Sequence, residues 1–345
     1  VGAPLSFLDH HLRCGNSLIG TDVRTVEAAM RADDSGQFGL FQGPFAGLLD
    51  LTTLMVEVVD RADATLSDVQ RSAEDFATFR RALTPYKQVL DLWVSQHFGN
   101  AKAEEFLRLF GETVLPALRD GEEVAPQYQD AIARARELWE EKRFFHWDLE
   151  FPEVFVDLQT GNWAEEPGFD AVIGNPPYAV DLTSEIRRYF EIRFPKTGKG
   201  YKNLALHFIE CAADLTTQSF GYIVPKSITY SEGWRTAVDL LWPYLTYAAD
   251  ASRAWEDVLL EMVVLLADFS GSYNYYLAGE FEGRVIEHVN IDKEKWQRFA
   301  VIFTNVQDVE LEIAENVWRH ASAFGESVEN FRGVTGWQNK CLEKG

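Results

Sequence analysis

The chain has 345 residues, enough for about two domains. Hydrophobic residues make up 46% and charged residues 25%, which excludes wholesale disorder and fibrous repeats. Against 54 acidic residues stand 32 basic ones, a formal net charge of −22, so any contact with nucleic acid needs a local basic patch or a basic part outside these residues.

Three cysteines, Cys14, Cys211 and Cys341, are odd in number and never spaced as Cys-x-x-Cys. This argues against a disulfide scaffold or a zinc knuckle and points to a reducing, cytoplasmic setting. The longest apolar stretch, Val258 to Ala267, is interrupted by Glu261 and falls short of the ~18 residues that span a bilayer. No charged-then-apolar leader opens the chain. It starts at Val1 with apolar text already running at Leu5, Phe7 and Leu8, and so reads as an internal piece of something longer.

In chain order, residues 1–20 predict a helix end followed by a short strand or turn around Arg13 to Ile19. A long helical block over 21–143 follows. Leu48, Leu51, Leu54, Met55 and Val58, and later Phe106, Leu109, Phe110, Val114 and Leu118, recur at amphipathic-helix spacing. Gly36–Gly47 and Arg119–Pro126 read as connections. From Phe144 the text changes to short apolar runs alternating with helices. Asp170–Gly174 predicts a buried strand ending in a turn, Leu204 to Leu215 a helix, and Gly221–Pro225 a second strand. Leu240–Ala249 and Met262–Phe269 predict two more. Such alternation predicts a parallel sheet covered on both faces, with ligands at the carboxyl ends of its strands, after Gly174 and Pro225.

The chemically loaded motif is Asn175-Pro176-Pro177-Tyr178 at the end of the first of these strands. At average residue frequencies it arises by chance about once in a thousand chains of this length. The prolines fix φ and remove two N–H donors, leaving a stiff segment rich in free carbonyls. An amide side chain, a backbone acceptor and an aromatic ring on such a corner suit a planar substrate bearing an NH₂ group. Asn175 and the Pro176 carbonyl can each accept one amino hydrogen, keeping the nitrogen lone pair out of the ring. Tyr178 can stack on the ring face, worth about 1–3 kcal/mol. A base within a duplex would have to be flipped out to reach it. The plain alternative is a rigid turn or a polyproline-type ligand segment.

This segment resembles the amino-methylating motif of the S-adenosylmethionine-dependent DNA methyltransferases. Nearly the whole chain is similar to the adenine-N6 enzymes of restriction–modification systems whose recognition domain lies C-terminal, including the type IIG single-chain fusions. His11–Gly20 is similar to the strand that meets the cofactor adenine, which places cofactor contacts on Asn16 and Ser17. Phe144–Phe155 and Phe169–Tyr178 resemble the approach to the catalytic loop. Tyr201–Glu210 and Gly221–Trp234 resemble the helix and strand after it. Ser252–Leu266 resembles a late strand pair, with a base-contacting aromatic at Trp255. Asn330–Asn339 is similar to the entry into a recognition domain.

The resemblance implies an α/β fold, a partial Rossmann-like class I methyltransferase sheet with a large helical insertion. Residues 1–20 would end the cofactor-side strand, 21–143 form the insertion, 144–315 the catalytic half, and 316–345 a linker into the recognition domain. Asn175, Pro176, Pro177 and Tyr178 would be catalytic, S-adenosylmethionine the methyl donor, and double-stranded DNA with a flipped adenine the substrate. A fused or separate restriction nuclease would be the partner. The family's Phe-x-Gly-x-Gly loop is absent from these residues; Phe41–Gly47 has the wrong spacing. Little affinity for S-adenosylmethionine is therefore expected of the isolated chain, together with an exposed sheet edge and a tendency to aggregate.

Between Asp181 and Lys202 the sign of charge reverses. Arg187, Arg188, Arg193, Lys196, Lys199 and Lys202 outnumber Asp181, Glu185 and Glu191 by three. Tyr189, Phe190, Phe194 and Tyr201 interleave with them, the mixture expected of a groove for phosphates and unstacked bases. Gly198-Lys-Gly200 predicts a mobile loop that orders on binding. A solvated helix face is the bland alternative.

Other chemistries find less support. The seven histidines form no His-Glu-x-x-His motif, and no metal site is expected. Asp130 with Glu140, Glu141 and Lys142 loosely resembles a magnesium nuclease, but Ala131–Lys142 is strongly helix-forming. There is no P-loop and no Gly-x-Ser-x-Gly elbow. Three rivals stay open: a protein-glutamine methyltransferase, a non-catalytic DNA- or partner-binding module, and cytosine-N4 methylation.

Overall fold

A computed structural model describes residues 11–32, 47–49, 51, 55, 58, 65–107, 126–178, 181–199, 203–252, 260–281, 284–296 and 301–320. The chain forms two compact units, residues 1–167 and 168–345. No helix among the described residues is long and apolar enough to cross a membrane.

The first unit is helical: α1 (Val23–Ala32), α2 (Leu66–Ser95), α3 (Pro126–Lys142), α4 (Trp147–Glu150) and α5 (Pro152–Phe155). A two-residue hairpin pairs β1 (Val156–Asp157) with β2 (Asn162–Trp163). Helix α2 starts at a capping box. The Thr65 hydroxyl accepts the Asp68 N–H while the Asp68 carboxylate accepts the Thr65 N–H, satisfying donors a helix end leaves orphaned. Phe79, Leu83, Tyr86, Val89 and Leu90 on α2 meet Ala131 and Ala135 on α3 in one core that also takes in Met55 and Val58. The predicted helical positions 48, 51, 55 and 58 are helical; Leu54, Leu109, Phe110, Val114, Leu118 and most of both predicted connections lie outside the described residues. Of the strand or turn expected around Arg13–Ile19, the turn forms, with an isolated parallel bridge from Asn16 to Phe144.

One buried acid in this unit has a measurable signature. Asp148 is buried, its Oδ2 accepts the Val23 N–H at 2.7 Å at the start of α1, and its Oδ1 has no partner among the described residues. Burial pushes its carboxyl up to about 7, with the Asp22 charge adding and the Val23 bond opposing. A folded pKa above the unfolded value means the native state holds a proton that the unfolded chain releases between about pH 4 and 7. Stability should therefore fall as pH rises through that window. Asp148→Asn, which keeps an acceptor for Val23, should flatten the decline; urea melts at pH 5 and pH 8 read it.

The second unit is built on a six-stranded sheet with order β3-β4-β6-β5-β7-β8: β3 (Phe169–Gly174), β4 (Thr216–Pro225), β5 (Leu245–Asp250), β6 (Met262–Asp268), β7 (Tyr275–Phe281) and β8 (Val285–Asp292). Helices α6 (Ser184–Arg193), α7 (Leu204–Leu215), α8 (Arg235–Leu241), α9 (Lys293–Trp296) and α10 (Asp308–His320) accompany it. Ala205, Leu206, Ile209 and Ala212 of α7 and Ala237, Val238 and Leu241 of α8 share a core with Phe220, Val224, Leu245, Ala248, Val263 and Leu265.

The fold is α/β, as expected, but the sheet is mixed rather than parallel. β3 with β4 and β5 with β7 are parallel, whereas β6 runs antiparallel to both β4 and β5, and β8 to β7. The predicted strand from Leu240 begins only at Leu245, because Leu240 and Leu241 end α8. Asn316, placed at the start of a linker by sequence, lies within α10.

The strand before the Asn-Pro-Pro-Tyr motif is present but is not buried. Among the described residues β3 pairs only with β4, and Ile173 is 84% exposed. Burial of a short apolar strand depends on its neighbours in the sheet, which its own residues do not specify. An apolar edge of this kind templates association. Ile173→Lys should lower self-association of the chain several-fold, measured by light scattering against concentration.

Candidate active site

At the carboxyl end of β3, Gly174 pairs with Tyr222 of β4, and a Cβ at Gly174 would sit 3.0 Å from the Tyr222 ring. Glycine lets the chain leave the strand across that ring. In the four residues that follow, Asn175 is exposed, Pro176 buried, Pro177 exposed and Tyr178 half-buried against the core of the second unit. The prolines hold this stretch extended. The Asn175 side chain has no hydrogen-bond partner among the described residues. The corner thus offers an unengaged amide to solvent, on backbone anchored by its buried neighbour.

Two residues that sequence reasoning passed over brace the same edge. Lys226 follows β4, and its Nζ donates to Asp250 Oδ2, at the end of β5, at 2.5 Å. The Lys226 N–H donates to the Glu261 carbonyl at 2.8 Å, and the Ser252 N–H to Asp250 Oδ1 at 2.9 Å. Burial alone would raise the Asp250 carboxyl, but hydrogen bonds from Lys226 and Ser252 bring it below the ordinary carboxylate value. Their signal was positional: each stands where a strand ends. Trp255, expected to contact the base, lies outside the described residues, as do Tyr201 and Lys202.

The basic segment is only partly what its composition predicts. Arg188, Lys196 and Lys199 are exposed, and Arg187 and Arg193 half-buried. Three of the four interleaved aromatics do not face solvent. Tyr189, Phe190 and Phe194 are buried, and Phe190 and Phe194 pack their rings on His207 of α7 at 4.7 and 5.6 Å. They are core, not stacking platforms. The expected mobile loop, Gly198 to Gly200, is described up to Lys199. Gly198 donates its N–H to the Phe194 carbonyl at 2.6 Å, and a Cβ on it would fall 2.4 Å from the Phe190 carbonyl.

In the first unit Asn16 and Ser17 are half-buried in a tight turn. The Asn16 N–H donates to the Arg143 carbonyl at 2.7 Å, its Oδ1 accepts the Leu18 N–H at 3.3 Å, and its carbonyl accepts the Ile19 N–H at 2.9 Å. The Ser17 carbonyl accepts the Trp147 indole N–H at 3.1 Å. The Asn16 Nδ2 group has no partner among the described residues. No cluster of three or more metal-ligating side chains occurs among the described residues. Asp130 is instead paired with Lys102 on the surface.

Residues 69–241, half of the chain, match a protein-family profile, and its class is the restriction–modification methylases. The family is that of the Eco57I restriction-modification methylase, and the chain belongs to it. The match runs from α2 to α8 and takes in the Asn-Pro-Pro-Tyr corner. No curated protein matches the sequence.

Solved structures with similarity include the type IIG restriction endonuclease BpuSI, at 15% identity and TM-score 0.33, covering 45% of this chain and 23% of that one. The type IIL enzyme MmeI in complex with DNA shares 14% identity at TM-score 0.26, with 72% and 39% covered. The type I restriction–modification methyltransferase subunit from Streptococcus thermophilus shares 10% at TM-score 0.30, with 85% and 80% covered. The chain spans less than two thirds of the length of BpuSI and MmeI.

Proposed function

We propose that the protein carrying this sequence is a site-specific DNA methyltransferase that transfers a methyl group from S-adenosylmethionine to the N6 amino group of a flipped adenine, within a restriction–modification or phage-defence system. The observation that carries this reading is the exposed Asn175 amide, without a partner among the described residues, on a proline-stiffened corner at a strand's carboxyl end. Asn175 Oδ1 and the Pro176 carbonyl accept the two amino hydrogens of the base. Accepting both aligns the nitrogen and leaves its lone pair available as a nucleophile. Tyr178 lies against the ring face. Catalysis of this kind is positioning and polarisation, with no strongly tuned general base.

The half-buried Asn16 Nδ2, free of partners among the described residues, fits the edge of a cofactor adenine, and Asn16 with Ser17 would hold that end of S-adenosylmethionine. When bound, the cofactor supplies a methyl group already activated on a sulfonium. The cations Arg187, Arg188, Arg193, Lys196, Lys199 and Lys202 meet DNA phosphates, and Trp255 meets the target base. The proposed organisation keeps residues 1–20 and 144–315 as parts of the methyltransferase core, 21–143 as an insertion and 316–345 as the approach to a recognition domain.

The test is product identity. The protein is incubated with tritiated S-adenosylmethionine and either duplex DNA or a ribosomal release factor, and the labelled product is digested and separated. N6-methyladenine is expected. Label in N4-methylcytosine would move the target to cytosine, and label in glutamine of the release factor would overturn the nucleic-acid reading.

A further inference from the structure

Below the exposed cations of the second unit lies a buried polar cluster that the proposed chemistry does not use. Thr197 is 1% exposed and Glu210 of α7 1%. The Glu210 carboxylate accepts three hydrogen bonds from the turn after α6: the Lys196 N–H at 3.2 Å on Oε1, and the Thr197 N–H at 2.7 Å and hydroxyl at 2.6 Å on Oε2. The Thr197 Oγ1 also lies 3.1 Å from His207 Nδ1. Since the hydroxyl hydrogen points to Glu210, the imidazole is the donor, through Nδ1–H. Burial lowers His207 to about 4, so the ring is neutral and serves as a fixed hydrogen-bond partner.

A buried carboxylate is stable only when its acceptor sites are filled. Here the filling groups come from one turn, whose other side is closed by the Gly198 N–H on the Phe194 carbonyl and by Gly198 pressed against α6. The turn is fixed from within, while Lys196 and Lys199 on either side of Thr197 are exposed. Arg193 adds a third cation, its guanidinium 5.2 Å from the Phe194 ring. Glu185 and Glu191 are the acidic residues on the same helix. A surface lysine ordinarily loses much rotamer and backbone freedom on gripping an anion, and a preformed turn removes the backbone part of that loss.

We infer that Thr197, His207 and Glu210 form an internal anchor that holds Lys196 and Lys199 as a preformed clamp for the phosphate backbone of the substrate DNA. The inference rests on the DNA-methyltransferase reading and deepens it. The three are positioning residues; the lysines make the contact.

Each phosphate neutralised contributes about 0.9 to the slope of log Kd on log salt concentration, so charge contact and stability can be read separately. Binding of the full chain to a fluorescein-labelled duplex is measured by anisotropy over a salt series. Replacing both lysines, K196A with K199A, should make the slope shallower by roughly 1.8. Thr197→Val, nearly isosteric and unchanged in charge, should weaken binding about fivefold and lose a similar part of the slope. Thr197→Ser, which restores the hydroxyl, should recover it, and Glu210→Gln should behave as the valine variant does. A valine variant that keeps the wild-type slope would overturn the anchor, and a double lysine variant that keeps it would overturn the clamp. Neither result bears on which base is methylated, which the product assay reads separately, although an unchanged slope in the double lysine variant also removes Lys196 and Lys199 from the phosphate contacts proposed above. A wild-type chain that does not bind the duplex would overturn the clamp together with the DNA contacts proposed above.

Discussion

Asn175→Ala is expected to abolish formation of N6-methyladenine, by at least about 10²–10³-fold, in a catalytically competent protein carrying this sequence. The reasoning is local. Asn175 is exposed and makes no side-chain hydrogen bond among the described residues, so its truncation removes no packing and no internal partner. The fold should survive, and affinity for DNA should stay within about threefold, because phosphate contacts supply most of it. What disappears is the acceptor that polarises the amino group. Asn175→Asp, which keeps an acceptor but adds charge, should retain partial activity. Methyl transfer at the wild-type rate by the alanine variant would end the role assigned to this residue.

The second large effect is on stability. At Gly20 a Cβ would lie 1.7 Å from the Phe145 carbonyl oxygen and 2.6 Å from its carbon, and the Phe145 N–H donates to the Ile19 carbonyl at 2.8 Å. Two stretches of backbone touch there, so no rotamer can relieve the clash. Gly20→Ala should lose more than about 3 kcal/mol, enough to unfold much of the first unit, with a matching drop in Tm and rapid proteolysis. Gly161→Ala is the control. It has a positive φ, +66°, which Gly20 does not, but nothing lies within 4 Å of its Cβ, and it should lose only about 1 kcal/mol. Equal melting of the two variants would refute the close-approach argument. Gly20 follows Asn16 and Ser17 in one turn, so this requirement also holds the expected cofactor contacts in shape.

What could be read from sequence was what is written locally. The Asn-Pro-Pro-Tyr corner was legible because proline acts on its own backbone, and α7 and α3 because their apolar or helix-forming text is continuous. The burial of β3 was not legible, since it depends on which strands lie alongside. Nor was the antiparallel insertion of β6 between β4 and β5, a choice made by non-local pairing. Strand β8 was missed although Val289 and Ile291 alternate with Asn290 and Asp292, a period-two signal. Tyr189, Phe190 and Phe194 looked like a nucleic-acid surface because composition reports which residues are near one another, not which way they turn. Their direction is set by His207 and α7, a partner across the fold. Lys226 and Asp250 stand 24 residues apart in the chain, and only the sheet brings them together.

That pair has a mechanical consequence. Strands β4 and β5 are not neighbours, because β6 runs between them, so the Lys226–Asp250 bridge passes over the first residues of β6 like a staple. Met262 pairs with Pro225 on one side, and Val263 with Asp250 on the other. Peeling at this end must therefore open a charge pair and two ladders in one event. Amide exchange there should come as a single cooperative burst rather than by gradual fraying.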